Sequence, residues 1–258
     1  MGHSLTYWIV AVLVVMLVGI SKSGFASGSG VVATPLLALV MPVADGAALM
    51  LPILLFVDVF NLRYYRNDFD RPNLKILLPG AVIGIVFGSL FFRQFIEQEQ
   101  VLEFGLGLMG LAFLAYEAYR AMLAQDTAAY LLPSAVGFLL GILAGFISTL
   151  THAGVPPVSI YLIPQKLAPK VFVGTVAYLF FIVNALKLIP YAMLGLLKVG
   201  SLTTTLLLLP PTFVGIKLGY WLNGKMSQEV FRRFIYVILF FTSVQLLLGR
   251  SLLGLVVG

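Results

Sequence analysis

Cysteine is absent from the 258-residue chain, and histidine occurs only twice, at His3 and His152. Without cysteine the protein has no disulfide bonds, thiolate metal sites or thiol nucleophiles. Two histidines are too few for a histidine-based metal cluster. We therefore expect no metal site and no cofactor.

Charged residues are also scarce. Asp, Glu, Lys and Arg make up 10% of the chain, whereas 60% of it is hydrophobic and the mean hydropathy is +1.05. A soluble domain of this length does not need so much apolar surface. The net charge of +6 is small and lies mostly in short loops, so we interpret it as topology information and expect no nucleic-acid binding. The composition predicts an integral membrane protein surrounded by the lipid bilayer.

Apolar segments follow one another in the same order in both halves of the chain. Two short segments precede three long ones, judged against the roughly 20 residues that a spanning helix needs. This order predicts an all-α polytopic membrane protein with two repeats, each a broken or re-entrant helix hairpin followed by three transmembrane helices. The first repeat is residues 1–122, the linker is 123–130 and the second repeat is 131–258, all in one membrane domain. The segments cover 5–20, 30–41, 46–62, 74–92 and 100–120, and then 131–150, 154–163, 171–190, 200–222 and 230–248.

Matching motifs in the two halves support the duplication. The pattern P-x4-G-x3-G occurs in both halves, and an asparagine lies in a corresponding span of each half. Each match alone is weak, because G-x-x-x-G is common at helix contacts, but their shared order favours a repeat. The matched residues are Pro79, Gly84 and Gly88 with Pro210, Gly215 and Gly219, and Asn61 with Asn184.

The basic residues predict how the chain is oriented. The positive-inside rule places the three loops richest in Lys and Arg in the cytoplasm. All three lie inside only if the short pair of each half enters and leaves on one side, so we predict that the repeats are inverted and that both termini are outside. Lys187 and Lys198 then fall at the outer side, where lysines can snorkel. The loops contain Arg63, Arg66, Arg71 and Lys75; Lys166 and Lys170; and Lys225, Arg232 and Arg233.

Two polar stretches, residues 21–30 and 148–154, interrupt the apolar segments and form the candidate functional site. A helix that begins inside the membrane has unpaired N–H groups and a partial positive charge at its start, so it favours an anion. Irregular backbone at this depth is tolerated where it lines a cavity. We predict a substrate site for a small anion made of Ser21, Lys22, Ser23, Ser27, Gly28, Ser29, Gly30, Asn61, Thr149, Thr151, His152, Gly154 and Asn184.

Asp58 is an acidic residue within a long span, and such residues often carry protons, so it is the candidate for proton coupling. Structural interpretations of these residues stay open. Lys22 can snorkel from a helix end, His152 can be a hydrogen-bonded structural residue, and the serines and glycines can serve tight helix packing. Asp58 can simply pair with Arg63 or Lys187.

Further motifs run through the chain. In the first half they are Gly19-Ile20-Ser21-Lys22-Ser23-Gly24, Gly28-x-Gly30 and Pro35-Leu36-Leu37; in the second half they are Gly145-Phe146-Ile147-Ser148, His152-Ala153-Gly154-Val155-Pro156-Pro157, Tyr161-Leu162-Ile163-Pro164-Gln165, Phe172-x-Gly174-Thr175 and Asn184-x-x-Lys187-x-x-Pro190-Tyr191. With these motifs and the two P-x4-G-x3-G blocks, the chain resembles the sulfite exporter TauE/SafE family of membrane transporters. The resemblance implies export of sulfite, sulfonates or related small organic anions, driven by the proton gradient. Val155 stands where relatives often have a further glycine, which is expected to tighten the second half of the site.

The leading hypothesis is a secondary transporter, not an enzyme, that exports a small anion across the inner membrane of a bacterium. A passive anion channel is the first alternative, because it also needs helix termini directed at an anion. An intramembrane serine hydrolase using Ser27 or Ser29 with His152 lacks G-x-S-G and an orienting acid. A membrane scaffold gives no reason for Lys22 and His152 beside intramembrane glycines. The oligomeric state is open, with a homodimer as one alternative.

Overall fold

The computed structural model describes residues 4–25, 30–123, 131–197, 199–223 and 225–249. These residues form helices and short connections, without a β-strand among them. A π-helical segment, Ser21–Phe25, extends the first helix, and a 3-10 turn, Ile163–Gln165, follows the seventh. The α-helices are α1 Leu5–Ile20, α2 Gly30–Leu37, α3 Val43–Tyr64, α4 Arg71–Phe95, α5 Glu99–Leu123, α6 Ser134–Thr151, α7 Val155–Leu162, α8 Pro169–Met193, α9 Val199–Asn223 and α10 Gln228–Leu248.

Eight of these helices are long and apolar enough to cross a membrane. With eight residues each, α2 and α7 are too short. The all-α, multi-pass class is thereby confirmed, and the helices follow the predicted apolar segments in order. One expectation is wrong, because the first helix of each pair also reaches spanning length. With its π-helical extension α1 covers 21 residues, Leu5–Phe25, and α6 covers 18.

Polar side chains mark the starts of several helices. Asp70 precedes α4, and its Oδ1 accepts a hydrogen bond from the Asn73 backbone N–H at 2.8 Å. Ser227 precedes α10 and accepts from the Val230 N–H at 3.3 Å. These bonds satisfy N–H groups that have no partner within the helix. The long helices α4 and α10, one in each half, thus begin at a side-chain cap, whereas α3, α6 and α8 begin without one.

Glycines bring α1 and α9 into backbone contact. A Cβ atom on Gly215 would lie 2.5 Å from the Met16 carbonyl oxygen, and one on Gly219 would lie 2.5 Å from the Ile20 carbonyl oxygen. Only glycine permits two helix backbones to approach this closely. The glycines of the second P-x4-G-x3-G block therefore join α9 to the first helix of the other half.

The first P-x4-G-x3-G block makes the corresponding contact between α4 and α6. A Cβ on Gly84 would collide with the Ile142 carbonyl oxygen, and one on Gly88 would lie 3.0 Å from the Phe146 carbonyl oxygen. On the facing side, Gly145 lies against the backbone of Ala81. Each block thus packs against the broken helix of the opposite half, so the two halves form one body.

Helices α3 and α8 lie side by side and run in opposite directions. At one end the Tyr178 hydroxyl donates to the Arg66 carbonyl oxygen at 3.2 Å. Further along, Asn184 Nδ2 donates to Asp58 Oδ2 at 2.7 Å. Residue numbers rise along α8 as they fall along α3, so the pair is antiparallel.

The last helices of the two halves, α5 and α10, are also antiparallel. The Tyr236 hydroxyl donates to Glu117 Oε2 at 2.5 Å near one end of the pair. Toward the other end, a Cβ on Gly107 would lie 2.7 Å from Leu247 Cγ. Helices α3 and α5 of the first half are therefore antiparallel to α8 and α10, the third and fifth helices of the second half.

We expect Gly84→Ala to destabilise the protein, because the added methyl group has no space against the Ile142 backbone. The expected cost is about 1–3 kcal/mol, as for other overpacked interiors. The midpoint of thermal unfolding in detergent measures it. Gly105→Ala is the matched control, because nothing lies within 4 Å of a Cβ built on Gly105. Equal midpoints for the two variants would contradict the proposed backbone contact.

Candidate functional site

The first interruption lies where α1 passes into the π-helical segment Ser21–Phe25. Such segments are frequent at functional sites. Ser21 and Ser23 are both buried here, and the next described residue is Gly30, where α2 begins. Ser27, Gly28 and Ser29, which the sequence also assigns to the site, lie outside the described residues.

Lys22 forms an ion pair with Asp58 of α3. The Asp58 side chain is fully buried, and that of Lys22 is 17% exposed. Asn184 donates to the second carboxylate oxygen at 2.7 Å, so both oxygens of Asp58 have a partner. Lys22 therefore points into the protein and does not snorkel, and Asp58 pairs with neither Arg63 nor Lys187.

Asn61, one helical turn from Asp58, supports the backbone of the interruption. Its Nδ2 donates to the Lys22 carbonyl oxygen at 3.2 Å. The Tyr220 hydroxyl of α9 donates to Asn61 Oδ1 at 3.0 Å, and the buried Ser23 hydroxyl lies next to Tyr220. Side chains from α3 and α9 thus satisfy polar atoms where the first helix is irregular, as the membrane interior requires.

The second interruption lies between α6 and α7. His152 ends α6 in the left-handed conformation, with φ of 59°, and its N–H donates to the Ser148 carbonyl oxygen at 3.0 Å. Gly154 follows, and a Cβ there would lie 2.5 Å from the Ala144 carbonyl oxygen. The chain therefore turns tightly against α6 before α7 begins at Val155.

Neighbouring helices satisfy the last carbonyl groups of α6. The Thr34 hydroxyl of α2 donates to the Thr151 carbonyl oxygen at 2.7 Å, and the Tyr191 hydroxyl of α8 donates to that of Thr149 at 2.7 Å. The hydroxyls of Thr149 and Thr151 donate to carbonyl oxygens one turn earlier in α6. In this conformation they bind the helix, and their contact with a substrate stays a prediction.

Lys187 of α8 lies at the end of α6, where its side chain is completely buried. Its Nζ donates to the Ser148 carbonyl oxygen at 2.9 Å, to the Ser148 hydroxyl oxygen at 3.0 Å and to His152 Nδ1 at 2.8 Å. These three bonds use all N–H groups of the ammonium. Across the described ranges no carboxylate forms an ion pair with Lys187. Lys187 is therefore buried among the helices and does not snorkel, and its placement toward the outer side stays a prediction.

His152 connects this lysine to α3. Its Nε2 lies 2.9 Å from the Ala47 carbonyl oxygen. Because a carbonyl oxygen only accepts, Nε2 carries the proton and Nδ1 is free to accept from Lys187. Both ring nitrogens are therefore occupied, and neither is available to activate a serine hydroxyl.

The two interruptions meet through α3 and α8. Lys22 contacts Asp58, Asp58 accepts from Asn184, and Lys187 lies one helical turn beyond Asn184. Lys187 in turn contacts the end of α6. The polar cluster, as we use the term, consists of Lys22, Asp58, Asn61, Ser148, His152, Asn184 and Lys187.

Lys187 and Ser148 belong to the polar cluster, although the site residues predicted from the sequence do not include them. The available signal for Lys187 was a lysine within an apolar span, three residues after an asparagine already assigned to the candidate site. Its burial depends on the contact between α8 and α6, which the sequence does not reveal.

Contacts in the polar cluster repeat with a constant separation along the chain. Asp58 and Asn184, which bond to each other, are 126 residues apart. Lys22 and Ser148 have the same separation, as do Asn61 and Lys187. Asn61 donates to the Lys22 carbonyl oxygen, and Lys187 donates to the Ser148 carbonyl oxygen. Under the predicted repeat these contacts would match Asn61 with Lys187, whereas the motifs match it with Asn184; the repeat itself stays a prediction.

A chain with eight membrane-length helices and a buried polar cluster at two helix interruptions is a polytopic membrane protein of the transporter class. Residues 11–246, nearly the whole chain, match the family model described as Sulfite exporter TauE/SafE. The protein belongs to this family, whose members are transporters and not enzymes. No curated protein and no solved structure matches the chain.

We expect Asp58→Leu to destabilise the protein strongly, because it leaves Lys22 without its counter-ion. Removing one partner of a buried pair typically costs about 3–5 kcal/mol. The double variant Lys22→Met, Asp58→Leu should recover most of the loss, since an apolar pair of similar volume has no charge to bury. Thermal unfolding of the two single variants and the double variant measures the coupling, and additive effects would contradict the ion pair.

Proposed function

We propose that the protein is a secondary transporter that exports a small anion such as sulfite or a sulfonate across the bacterial inner membrane, with the anion bound at the polar cluster. The family supports export of sulfite or a related anion. The observation that carries the binding site is the charge of the cluster. It contains two lysines, the buried Lys187 and the partly buried Lys22, but only one carboxylate, Asp58. An anion supplies the negative charge that the cluster lacks.

An inverted repeat, residues 1–122 and 131–258, is part of this proposal. The antiparallel directions of α3 with α8 and of α5 with α10 support it. So does the constant separation of 126 residues between corresponding contacts. In transporters of this design, interrupted helices of the two repeats meet at the substrate site, and access alternates between the two sides.

The loop around Arg63 and Arg66 is proposed to face the cytoplasm. Asp68 in that loop forms an ion pair with Lys170 at 2.8 Å, so the second basic loop lies at the same end of the molecule. This agrees with the positive-inside rule, under which short basic loops collect on one side. The polar cluster is then reached from the cytoplasm along α1 and α3.

Proton coupling is proposed to operate through the ion pair of Lys22 and Asp58. When Asp58 takes up a proton, its attraction for Lys22 is lost, and Lys22 is free to pair with the anion. When the anion and the proton leave together, the ion pair forms again. The membrane potential, which repels a net negative charge from the cytoplasm, then favours export, whereas the inward proton gradient does not. Asn184 keeps the carboxyl group in place in both states, because its amide group can donate to an oxygen and accept from a hydroxyl.

We expect Lys22→Ala to reduce sulfite flux into proteoliposomes by about tenfold or more, the loss typical of a removed bond to a charged group. Lys217→Ala is the matched control. Lys217 lies over the Phe213 ring, 4.9 Å from its centre, and outside the polar cluster. Thermal unfolding of both variants shows whether they are folded. Unchanged flux in the folded Lys22→Ala variant would remove Lys22 from the site.

Coupling is tested by imposing a pH gradient across the proteoliposome membrane. The wild-type protein should accumulate sulfite in response to the gradient, because a cycle that carries divalent sulfite also moves a proton at Asp58. Asp58→Asn should retain downhill flux but no longer respond to the gradient. Wild-type flux that follows only the sulfite gradient would favour a passive anion channel.

A further inference from the structure

The charges around Asp58 come from a small number of groups. Lys22 faces it from α1, and Asn184 and Lys187 face it from α8. His152, at the end of α6, contacts Lys187, and the Tyr220 hydroxyl of α9 donates to Asn61. The net charge of the polar cluster therefore depends on two lysines, one histidine and one carboxylate.

Lys187 Nζ lies within hydrogen-bond distance of three acceptors, the Ser148 carbonyl and hydroxyl oxygens and His152 Nδ1, which match the three N–H groups of an ammonium. On this geometry we assign one positive charge to the pair of Lys187 and His152. The proton on Nε2 faces the Ala47 carbonyl oxygen, so only the bond between Nζ and Nδ1 can vary. If its proton belongs to Lys187, the lysine is an ammonium and the histidine is neutral. If it moves to His152, the histidine is charged and the lysine is a neutral amine. Either arrangement leaves one charge on the pair.

The cluster thus has one surplus positive charge when Asp58 is ionised and two when it is protonated. Uncompensated charge is costly in the membrane interior. One negative charge neutralises the first state, and two negative charges neutralise the second. The number of charges on the bound anion is therefore linked to the proton on Asp58.

We propose that the cluster binds a monovalent anion without taking up a proton and a divalent oxyanion together with one proton, which resides on Asp58. In the divalent case a proton from bulk water forms an O–H bond with the Asp58 carboxylate. Lys22 then leaves Asp58 and pairs with the anion. The anion, together with the proton where one is taken up, then carries a single net negative charge in both cases. This inference rests on the proposed function, because it assumes that the anion binds at the polar cluster.

The repeat provides a variant that changes this charge balance with little change in shape. Asn61 occupies the position equivalent to Lys187 and donates to a carbonyl oxygen in the same way. Lys187→Asn should therefore keep a hydrogen bond to the Ser148 carbonyl oxygen while it removes one positive charge. In this variant a monovalent anion is neutralised only if Asp58 takes up a proton.

The proton count is measured by calorimetric titration of the full-length protein in detergent, repeated in buffers with different ionisation enthalpies. Methanesulfonate is the monovalent probe and sulfate the divalent probe, because neither changes its charge near neutral pH. Sulfite is the third probe, and its own protonation is subtracted. The wild-type protein should take up no proton with methanesulfonate and about one per sulfate.

The variants extend the test. Asp58→Asn should take up no proton with either probe, and Lys187→Asn should take up about one with methanesulfonate. Lys217→Asn, which removes a lysine outside the cluster, should match the wild type. Equal proton counts for both probes in the wild type would overturn this inference but leave anion binding intact. If sulfite, sulfate and methanesulfonate all fail to bind the folded protein, the proposed function itself is overturned.

Discussion

An interrupted helix leaves backbone N–H and C=O groups without partners, and the hydrocarbon interior of the bilayer has no water to bind them. The rest of the structure depends on which side chains bind these groups. Asn61 of α3 bonds to the first interruption, and Lys187 of α8 bonds to the second. Because α3 and α8 also bond to each other through Asp58 and Asn184, the same two helices support both interruptions. The hydrogen bonds that satisfy the interrupted backbone are therefore made by residues of the polar cluster itself.

The sequence predicted the helices and their order, but not the contacts between helices. The hydrophobic runs predicted the order of the helices, because membrane length and apolar composition are local properties. Lys22 and Asp58 were correctly singled out as charges within apolar runs, but their pairing depends on contact between α1 and α3. The burial of Lys187 was missed for a related reason. The position of a residue along its own helix does not say how far a neighbouring helix covers its side chain.

Each half places one lysine and one polar side chain at its helix interruption, but on different helices. In the first half the cation comes from the interrupted helix, as Lys22, and the supporting helix supplies an amide, Asn61. In the second half the supporting helix supplies the cation, Lys187, and the interrupted helix supplies a hydroxyl, Ser148. Motif matching by residue type paired the two asparagines, whereas the backbone contacts pair Asn61 with Lys187 under the proposed repeat.

The glycine contact between α1 and α9 has a consequence for biogenesis. The ribosome makes α1 well before α9, the helix whose backbone contacts Gly19 and Gly24. Until α9 is inserted, the helical segment that carries Lys22 lacks this backbone contact. A product that is truncated before α9 therefore exposes the glycine face of α1 to quality-control proteases.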